Sequence, residues 1–517
     1  MPDNLKLVIN TKIFWFCILS IICIFAGLVY FWATSPFGIG IHADSINYIW
    51  SARNFADGIG LGRTTGDGSL KPLTQWPPLY PLILSLFEWI EIGALQGARL
   101  IGVICSVLIL FLGCMIIWRL TQSPLFGLIT IILLFFSPGL TQIQLDAMTE
   151  APFIVFALLT FITTDKYIQT HQRKWIVITA IWIMLGTQTR YAGISLAIVT
   201  LCFLYFSHLP IREKIFSIFI ISMISGIPLI LWFVRNFQLT GNAGNRLVRW
   251  IPLSRSDINW AIRTITAWID PWIRIIPLTK TKILFSISIL SLFGITTYWK
   301  QKISRPHQPD SINVFYLLFG FIFSYVGSIL VARLAFDPYV AIGEERILSP
   351  LYTAIILLGV FGFHQFIQFS NKYIFVKYFL PIIGCLIFAT FLSNNYLLVI
   401  DQYKQIHKNG KGYGRQELKN SQILEDLNTF PQKGIIYSDN IEQLYFLTGL
   451  SSFALPDPLT EAWSTPINLA ASQGQELIIA VIQPTTEKEL TIQKYFNNFT
   501  LFSSKDGLLY TANIYPK

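Results

Sequence analysis

The sequence predicts an all-α polytopic membrane protein of about eleven transmembrane helices, followed by a small α/β domain outside the membrane. The first observation is composition: 53% of the 517 residues are hydrophobic and only 13% are charged, against about 25% charged in soluble proteins. The second is a series of long apolar runs, and the third is a polar tail that begins near residue 400. This composition excludes an ordinary soluble enzyme, a disordered chain and a disulfide-stapled secreted domain.

The apolar runs are long enough to be counted as spans, since a helix needs about 20 residues to cross a bilayer. The first run could be a signal peptide, but its length and the lack of a small-residue cleavage site predict a retained helix. Two later runs, 175–188 and 190–207, are short or lie directly next to each other at Arg190. The predicted spans are 13–32, 98–118, 124–139, 150–164, 175–188, 190–207, 215–234, 281–298, 313–332, 347–367 and 378–398.

The charged residues orient these spans. The net charge is +10, and lysines and arginines fall in alternate connections, as with Arg173 and Lys174, whereas the opposite connections hold most of the acids. Because Lys and Arg are retained in cytoplasmic loops, the N-terminus is predicted to be cytoplasmic and the tail extracytoplasmic. The positive net charge is thus explained by the cytoplasmic loops of a protein in the plasma (inner) membrane. It does not indicate a nucleic-acid partner.

Residues 1–398 are predicted to form the transmembrane domain and 399–517 the small soluble domain. Two outer segments of the first domain are long. Segment 33–97 includes a semi-apolar stretch, Pro77–Ile92, which predicts an interfacial or re-entrant helix. Segment 235–280 interleaves Trp with Arg, which is typical of a helix lying at the lipid surface.

The tail predicts a small α/β fold. Strand-like runs occur at Gly434–Ser438 and Leu477–Gln483, with a helical pattern between them. Asp506-Gly507 predicts a hairpin turn near the end.

Several common site motifs are absent from the sequence. There is no P-loop, no HExxH and no CxxC, and the run Gly58–Gly62 lacks the spacing of a dinucleotide fingerprint. The six cysteines lie inside apolar runs, which predicts packing residues and neither disulfides nor a metal site. The six histidines show no metal-ligand spacing.

Three acids on the outer side are the candidate catalytic residues. Asp44 follows the first span, and Asp146 and Glu150 bracket the outer end of the fourth, where they would share a face if the segment were helical. Such an acid could act as a general base towards a hydroxyl or amine acceptor that attacks a sugar. The alternatives are a helix cap for Glu150, with Pro152 in the first turn, and an exposed loop acid for Asp44.

Basic side chains near the outer boundary are candidate phosphate ligands, because a planar guanidinium binds phosphate oxygens bidentately. The alternative for each is a lipid-headgroup anchor. Arg190 and Arg346 stand out, since each begins an apolar run, where an unpaired charge is costly. The full set is Arg53, Arg63, Lys71, Arg190, Arg235, Arg246, Arg249, Arg333 and Arg346.

The order of these features resembles a known family. An outer-loop acid is followed by Gln75-Trp76-Pro77-Pro78-Leu79-Tyr80-Pro81 and then by Asp146 and Thr149-Glu150. Later come Thr189-Arg190-Tyr191-Ala192-Gly193, Val234-Arg235-Asn236 and Arg346-Ile347-Leu348-Ser349-Pro350. Over about residues 10–395 this set resembles the GT-C fold glycosyltransferases that use polyprenol-phosphate sugars. Within them it is closest to the bacterial branch related to protein mannosyltransferases and aminoarabinose transferases.

The resemblance implies an inverting transferase that moves a sugar from an undecaprenyl- or dolichyl-type phosphate to a lipid, glycan or protein acceptor. It also assigns roles. Asp44 matches the catalytic base, and Asp146 or Glu150 matches a second acid. Tyr80 lies in the motif beside the donor, and Arg346 matches an arginine near its phosphate. Arg53, Lys71, Arg190 and Arg235 complete the set expected to bind donor phosphate or lipid.

One departure from the family concerns a metal. Many relatives have Asp-Glu at the first acid, whereas here the pair is Asp44-Ser45. An acidic pair would be the natural ligand set for a divalent metal, so the sequence assigns no cofactor and leaves a metal open.

Two other functions compete with the transferase. A transporter or flippase for a lipid-linked substrate would need ionisable residues in the middle of its spans, and the predicted span centres are nearly free of charge. A ligand-binding membrane protein would use the tail as its working part, but the tail shows no concentrated chemistry.

Overall fold

The computed structural model describes residues 3–244, 248–269, 312–335, 342–370, 374–429, 434–496, 499–503 and 507–512. Contacts between Cα atoms divide the chain into two compact units, each described separately below. The helical unit comprises Met1–Ala33, Thr74–Tyr80 and Arg99–Lys404. The mixed unit comprises Thr34–Leu73, Pro81–Ala98 and Gln405–Lys517, so most of the first outer segment groups with the tail.

Long apolar helices build the helical unit. Six described helices are long and apolar enough to cross a membrane: Thr11–Ala33, Ala94–Thr121, Glu150–Thr170, Ile211–Thr240, Asn313–Ala335 and Glu345–Gln368. The helices are α1 (Asp3–Ala33), α4 (Ala94–Thr121), α5 (Pro124–Phe135), α6 (Pro138–Gln144), α7 (Glu150–Thr170), α8 (Arg173–Thr189), α9 (Ile194–Phe206), α10 (Ile211–Ile221), α11 (Ile227–Thr240), α12 (Arg255–Ile269), α13 (Ile312–Ala335), α14 (Glu345–Ser370) and α15 (Ile374–Asn409). A π-helical turn, Ser222–Gly226, joins α10 to α11.

The multi-pass architecture is confirmed, but the count of about eleven spans is not. The described residues give six candidate spans, or seven if one bent pair is a single span. That pair is α5 and α6, which meet at 69° where 124–139 was predicted to be one helix. The bend has a local cause: Ser137 caps α6 by accepting from the Leu140 N–H at 3.3 Å, and Pro138 starts the new helix.

The remaining predicted spans differ in other ways. Residues 175–188 lie in α8, which is 17 residues long, and 190–207 lie in the short apolar helix Tyr191–Phe206. The predicted span 378–398 lies in α15, which is 36 residues long but is not among the six candidates. The predicted span 281–298 lies outside the described residues.

Helix α7 is the central helix of this unit. In its most apolar 18-residue stretch, 72% of the residues are buried. This is the highest value among the six candidate spans of the described residues. Phe153 stacks on Tyr325 of α13, and Phe161 packs edge-on to Phe321. Fully buried apolar side chains therefore fix the position of α7, whose first residue is Glu150.

A short helical turn, Tyr191–Gly193, reverses the chain between α8 and α9. The reversal is tight, since a Cβ atom at Gly193 would lie 2.5 Å from the carbonyl carbon of Gly186. Only glycine permits this approach of two backbones. Arg190 ends α8 in an extended conformation just before the turn, so the turn holds it in place.

The mixed unit contains a helix, a hairpin and most of a second short helix from the first outer segment. These are α2 (Ala43–Ala56), β1 (Gly62–Thr64), β2 (Leu70–Pro72) and α3 (Leu79–Trp89). The hairpin pairs Arg63 with Lys71, and its base is tied to α2 because Asn54 donates to the Gly62 carbonyl at 2.8 Å. At 11 residues α3 is too short to cross a bilayer, in keeping with the interfacial or re-entrant prediction for Pro77–Ile92.

The tail contributes a five-stranded sheet with helices on both faces. The strand order is β4-β3-β5-β7-β6. Strands β4, β3 and β5 are parallel to one another, whereas β7 is antiparallel to both of its neighbours, β5 and β6. The elements are α16 (Gln416–Lys419), α17 (Gln422–Thr429), β3 (Ile435–Ser438), α18 (Ile441–Thr448), β4 (Phe453–Ala454), α19 (Glu461–Ser472), β5 (Leu477–Val481), α20 (Thr486–Tyr495), β6 (Thr500–Ser503) and β7 (Leu508–Ala512). Both predicted strand runs lie in this sheet, and Asp506 of the predicted turn lies outside the described residues.

Two apolar clusters cover the two faces of the sheet. Leu444 of α18 packs with Ile436 and Ile478 on one face. Ile492 of α20 packs with Ile479 and Leu477 on the other. Alternate residues of β5 therefore point to opposite cores, as a strand buried on both faces requires.

Candidate active site

A buried carboxylate in the helical unit binds two arginines. Glu150, the first residue of α7, has a side chain only 1% exposed. Its Oε1 atom lies 2.6 Å from Arg190 Nη1 and 3.6 Å from Arg346 Nε. The three side chains come from the start of α7, the end of α8 and the start of α14. Sequence reasoning singled out both arginines, and the structure brings them together at one carboxylate.

The surroundings of this cluster nearly balance its charge. Glu344 Oε1 lies 3.0 Å from Arg346 Nε, so two carboxylates face two guanidinium groups. Arg190 also donates to Thr149 Oγ1 at 3.1 Å. The arginine side chains remain 19% and 21% exposed, in contrast to Glu150. Part of each arginine side chain is therefore exposed, while the carboxylate that both approach is buried.

Glu150 stands at the N-terminus of a helix, as the capping alternative expected. The side chain nevertheless pairs with two arginines from other helices. Asp146 does not share a helical face with Glu150, because residues 145–149 form an irregular turn. Pro152 favours a helix start here, since proline is best tolerated in the first turn of a helix. Asp146 is itself buried, at 3% exposed.

Gln144, the last residue of α6, was not predicted from the sequence. It is 3% exposed, and among the described residues neither of its side-chain amide atoms has a hydrogen-bond partner. Buried amides are normally satisfied, so this one marks a place where a polar ligand would be stabilising. Its only signal in the sequence is a polar residue at the end of an apolar run.

The segment Thr74–Tyr80, which carries the Pro-Pro-Leu-Tyr motif, is fixed to aromatic residues of the same unit. The Thr74 carbonyl accepts from Tyr191 Oη at 3.4 Å and from Asn236 Nδ2 at 3.2 Å. Trp232 Nε1 donates to Tyr191 Oη at 3.0 Å. Tyr80 is buried at the start of α3.

Arg235 belongs to this aromatic group. Its guanidinium lies 4.4 Å from the centre of the Trp232 ring and donates to Asn236 Oδ1 at 2.9 Å. The Trp232 ring therefore stabilises the cation of Arg235.

Asp44 lies in the mixed unit, in the first turn of α2, where it is half-buried. The His42 N–H donates to Ser45 Oγ at 3.1 Å, which caps this turn. Asn47, one turn further along the same face, accepts from Arg63 Nη1 at 2.8 Å. The predicted base thus shares a helix face with a residue that holds an arginine of the hairpin.

The other predicted ligands of the mixed unit have partners there. Arg53 lies 3.5 Å from Glu88 and stacks 5.0 Å from the Trp50 ring centre. Lys71 is exposed on β2, directly opposite Arg63.

Glu442 of α18 is a further charged group beside the hairpin. Burial raises the pKa of this carboxyl above its ordinary value, even though Arg63 and the Gly66 N–H oppose the shift. Desolvation therefore outweighs the nearby cation.

No group of three or more His, Cys, Asp or Glu side chains in the described part of the chain is arranged to hold a metal ion. Glu150 already pairs with two arginines. All six cysteines are free thiols.

The fold and the cluster define a multi-pass membrane protein with arginines gathered at helix ends. Comparison with known families shows what part of the chain is similar to. Residues 75–232 match the dolichyl-phosphate-mannose-protein mannosyltransferase family. The match includes the Pro-Pro-Leu-Tyr motif, Asp146, Glu150 and Arg190. No curated protein matches the sequence.

Solved structures of low sequence identity share the fold. ArnT from Cupriavidus metallidurans bound to undecaprenyl phosphate has a TM-score of 0.56 at 11% identity, with 97% of this chain and 98% of that chain covered. The arabinofuranosyltransferase AftD from mycobacteria gives 0.55 at 12% identity, covering 96% of this chain and 40% of that one. AglB from Archaeoglobus fulgidus, in complex with an inhibitory peptide and a dolichol-phosphate, gives 0.51 at 11%, covering 97% and 74%. The predicted resemblance to GT-C glycosyltransferases is confirmed.

Proposed function

We propose that this chain is an integral-membrane glycosyltransferase that moves a sugar from a polyprenyl phosphate to an acceptor on the extracytoplasmic face. The observation that carries the proposal is the meeting of Arg190 and Arg346 at the buried Glu150. Two part-exposed arginine side chains meet at one carboxylate, and planar guanidinium groups can bind phosphate oxygens bidentately. The family match and the lipid phosphates bound to ArnT and AglB support the same donor class.

The reaction assigned to the chain is a single displacement with inversion. The acceptor hydroxyl or amine attacks the anomeric carbon, and the bond from that carbon to the phosphate oxygen breaks. The polyprenyl phosphate leaves with the bonding electron pair, and its charge is stabilised by Arg190 and Arg346. The acceptor proton passes to the Asp44 carboxylate, which acts as general base. No protonated leaving group is required, because phosphate is already a good one.

Asp44→Asn tests the base. We expect it to abolish release of free lipid phosphate from radiolabelled undecaprenyl-phosphate sugars by the purified chain in lipid nanodiscs. General bases contribute about 100- to 10,000-fold, so the loss lies far outside assay error. Asp57→Asn, an exposed acid at the other end of α2, is the matched control and should keep full activity. Equal activity in both variants would remove Asp44 from the mechanism.

Arg346→Lys tests the phosphate ligand separately. Lysine keeps the charge but loses the bidentate fork, so the KM for the lipid-linked donor should rise with expression unchanged. An unchanged KM for the donor would exclude Arg346 as a phosphate ligand, whatever the result for Asp44.

The transporter alternative is not supported by the placement of charges. The centres of the described candidate spans, such as 103–115 and 152–164, carry no Asp, Glu, Lys or Arg. Alternating access at the bilayer midplane uses such groups.

A further inference from the structure

The sheet of the tail reverses its winding at one place. From β3 the chain passes through α18 to β4 on one side, and from β5 it passes through α20 towards the opposite edge. Helix α18 covers one face and α20 the other. In open α/β sheets, ligands bind outside the carboxyl ends of two such strands, because the following loops diverge and leave a crevice. By this rule, the expected crevice lies beyond Ser438 of β3 and Val481 of β5.

Polar side chains fix the two walls of this crevice. Asp439, directly after β3, accepts from the Ile482 N–H at 2.9 Å and the Gln483 N–H at 3.4 Å. The same carboxylate lies 3.2 Å from Lys488 Nζ, which also lies 3.4 Å from Asp457. Burial alone would lower the pKa of Lys488, but these two carboxylates raise it, so the lysine stays charged.

Gln443 of α18 points to a ligand at this place. It is 0% exposed, and its Oε1 accepts from Asn440 Nδ2 at 3.0 Å and from Gln483 Nε2 at 3.3 Å. Those two donors follow β3 and β5 respectively, so the amide of Gln443 sits between the strand ends. Within the described residues its Nε2 has no hydrogen-bond acceptor. An unsatisfied buried donor is destabilising, and an acceptor on a ligand would remove that cost.

We propose that this crevice, formed by Asn440, Gln443, Asp457, Gln483 and Lys488, binds a carbohydrate through its hydroxyl groups. A hydroxyl both accepts and donates, so it can accept from Gln443 Nε2 while donating to a carboxylate or amide oxygen of the rim. The charges of Asp439, Asp457 and Lys488 sum to one negative charge, which disfavours phosphate. A neutral polyol matches this mixture of donors and acceptors.

The test is binding of simple glycosides to the full-length chain in nanodiscs. Saturation-transfer NMR with methyl mannopyranoside, methyl glucopyranoside and methyl arabinofuranoside should give signal from at least one of them, unaffected by inorganic phosphate. Gln443→Met keeps the volume but removes the donor, and should weaken binding about tenfold. Gln473→Met changes an exposed glutamine that follows α19 and precedes the amino end of β5, and should leave binding unchanged.

A second variant covers the case in which Gln443→Met does not fold. Gln483 is exposed, so Gln483→Ala should weaken glycoside binding without loss of structure. Absence of signal with all three glycosides, competition by phosphate, or equal binding in wild type and Gln483→Ala would overturn the proposal. Asp44→Asn must retain glycoside binding, so failure of the transferase mechanism and failure of this site are separate results.

Discussion

Glu150→Gln is the sharpest perturbation of the buried cluster. The change keeps the shape of the side chain and an oxygen acceptor, but removes the charge that faces Arg190 at 2.6 Å and Arg346 at 3.6 Å. Breaking a buried ion pair by removing one partner costs about 3–5 kcal/mol. Both arginines are about one-fifth exposed, and water can partly replace the lost charge. We therefore expect a loss of about 2–3 kcal/mol in the free energy of unfolding.

Glu344→Gln is the matched control for this loss. It makes the same chemical change opposite the same Arg346, at the shorter distance of 3.0 Å, but its side chain is 37% exposed. Exposed pairs contribute less than about 1 kcal/mol, so the closer pair should matter less. Thermal unfolding of the purified variants in nanodiscs, followed by tryptophan fluorescence, compares the two directly. A midpoint for Glu150→Gln equal to or above that of Glu344→Gln would refute the argument from burial.

Two further predictions concern other parts of the fold. Gly343→Ala should destabilise by about 1–3 kcal/mol, because its Cβ would lie 2.3 Å from Cγ of Trp260, whereas Gly359→Ala in α14 meets nothing within 4 Å and should not destabilise. The measurement is the thermal midpoint of the two variants. Glu442→Gln should slow amide hydrogen exchange in α18 at pH 7. A carboxyl whose pKa is raised on folding stabilises the fold at low pH and loses that contribution as the pH rises, so wild type and variant should converge as the pH falls towards 4.5.

The sequence was most informative where a residue contradicted its surroundings. Arg190 and Arg346 each begin an apolar run, so each had to have a compensating partner, and both reach Glu150. The membrane class followed from composition in the same way, because too few charged residues exist to cover a soluble globule.

Features set by long-range packing could not be predicted. The contact of Asn47 with Arg63 depends on how the hairpin packs against α2. The buried Nε2 of Gln443, which has no acceptor among the described residues, depends on the paths of the loops that follow β3 and β5. The span count is not confirmed, and one predicted span is broken for a local reason, since Ser137-Pro138 interrupts an apolar run that hydropathy alone treats as continuous. Periodicity does not report such breaks when both sides are equally apolar.

The mixed unit joins segments from opposite ends of the chain, and this has a consequence for biosynthesis. Lys419 donates to the Phe37 carbonyl across 382 positions, and Gly66 packs so closely on Ile441 that a Cβ would lie 2.4 Å from its carbonyl carbon. At about 5–20 residues per second, a ribosome needs roughly 20–80 seconds to traverse that interval. The early hairpin must therefore wait without its C-terminal partners while the intervening helices are synthesised. Nascent chains arrested before residue 405 would present this hairpin to chaperones and proteases, so its docking is a late checkpoint on the finished protein.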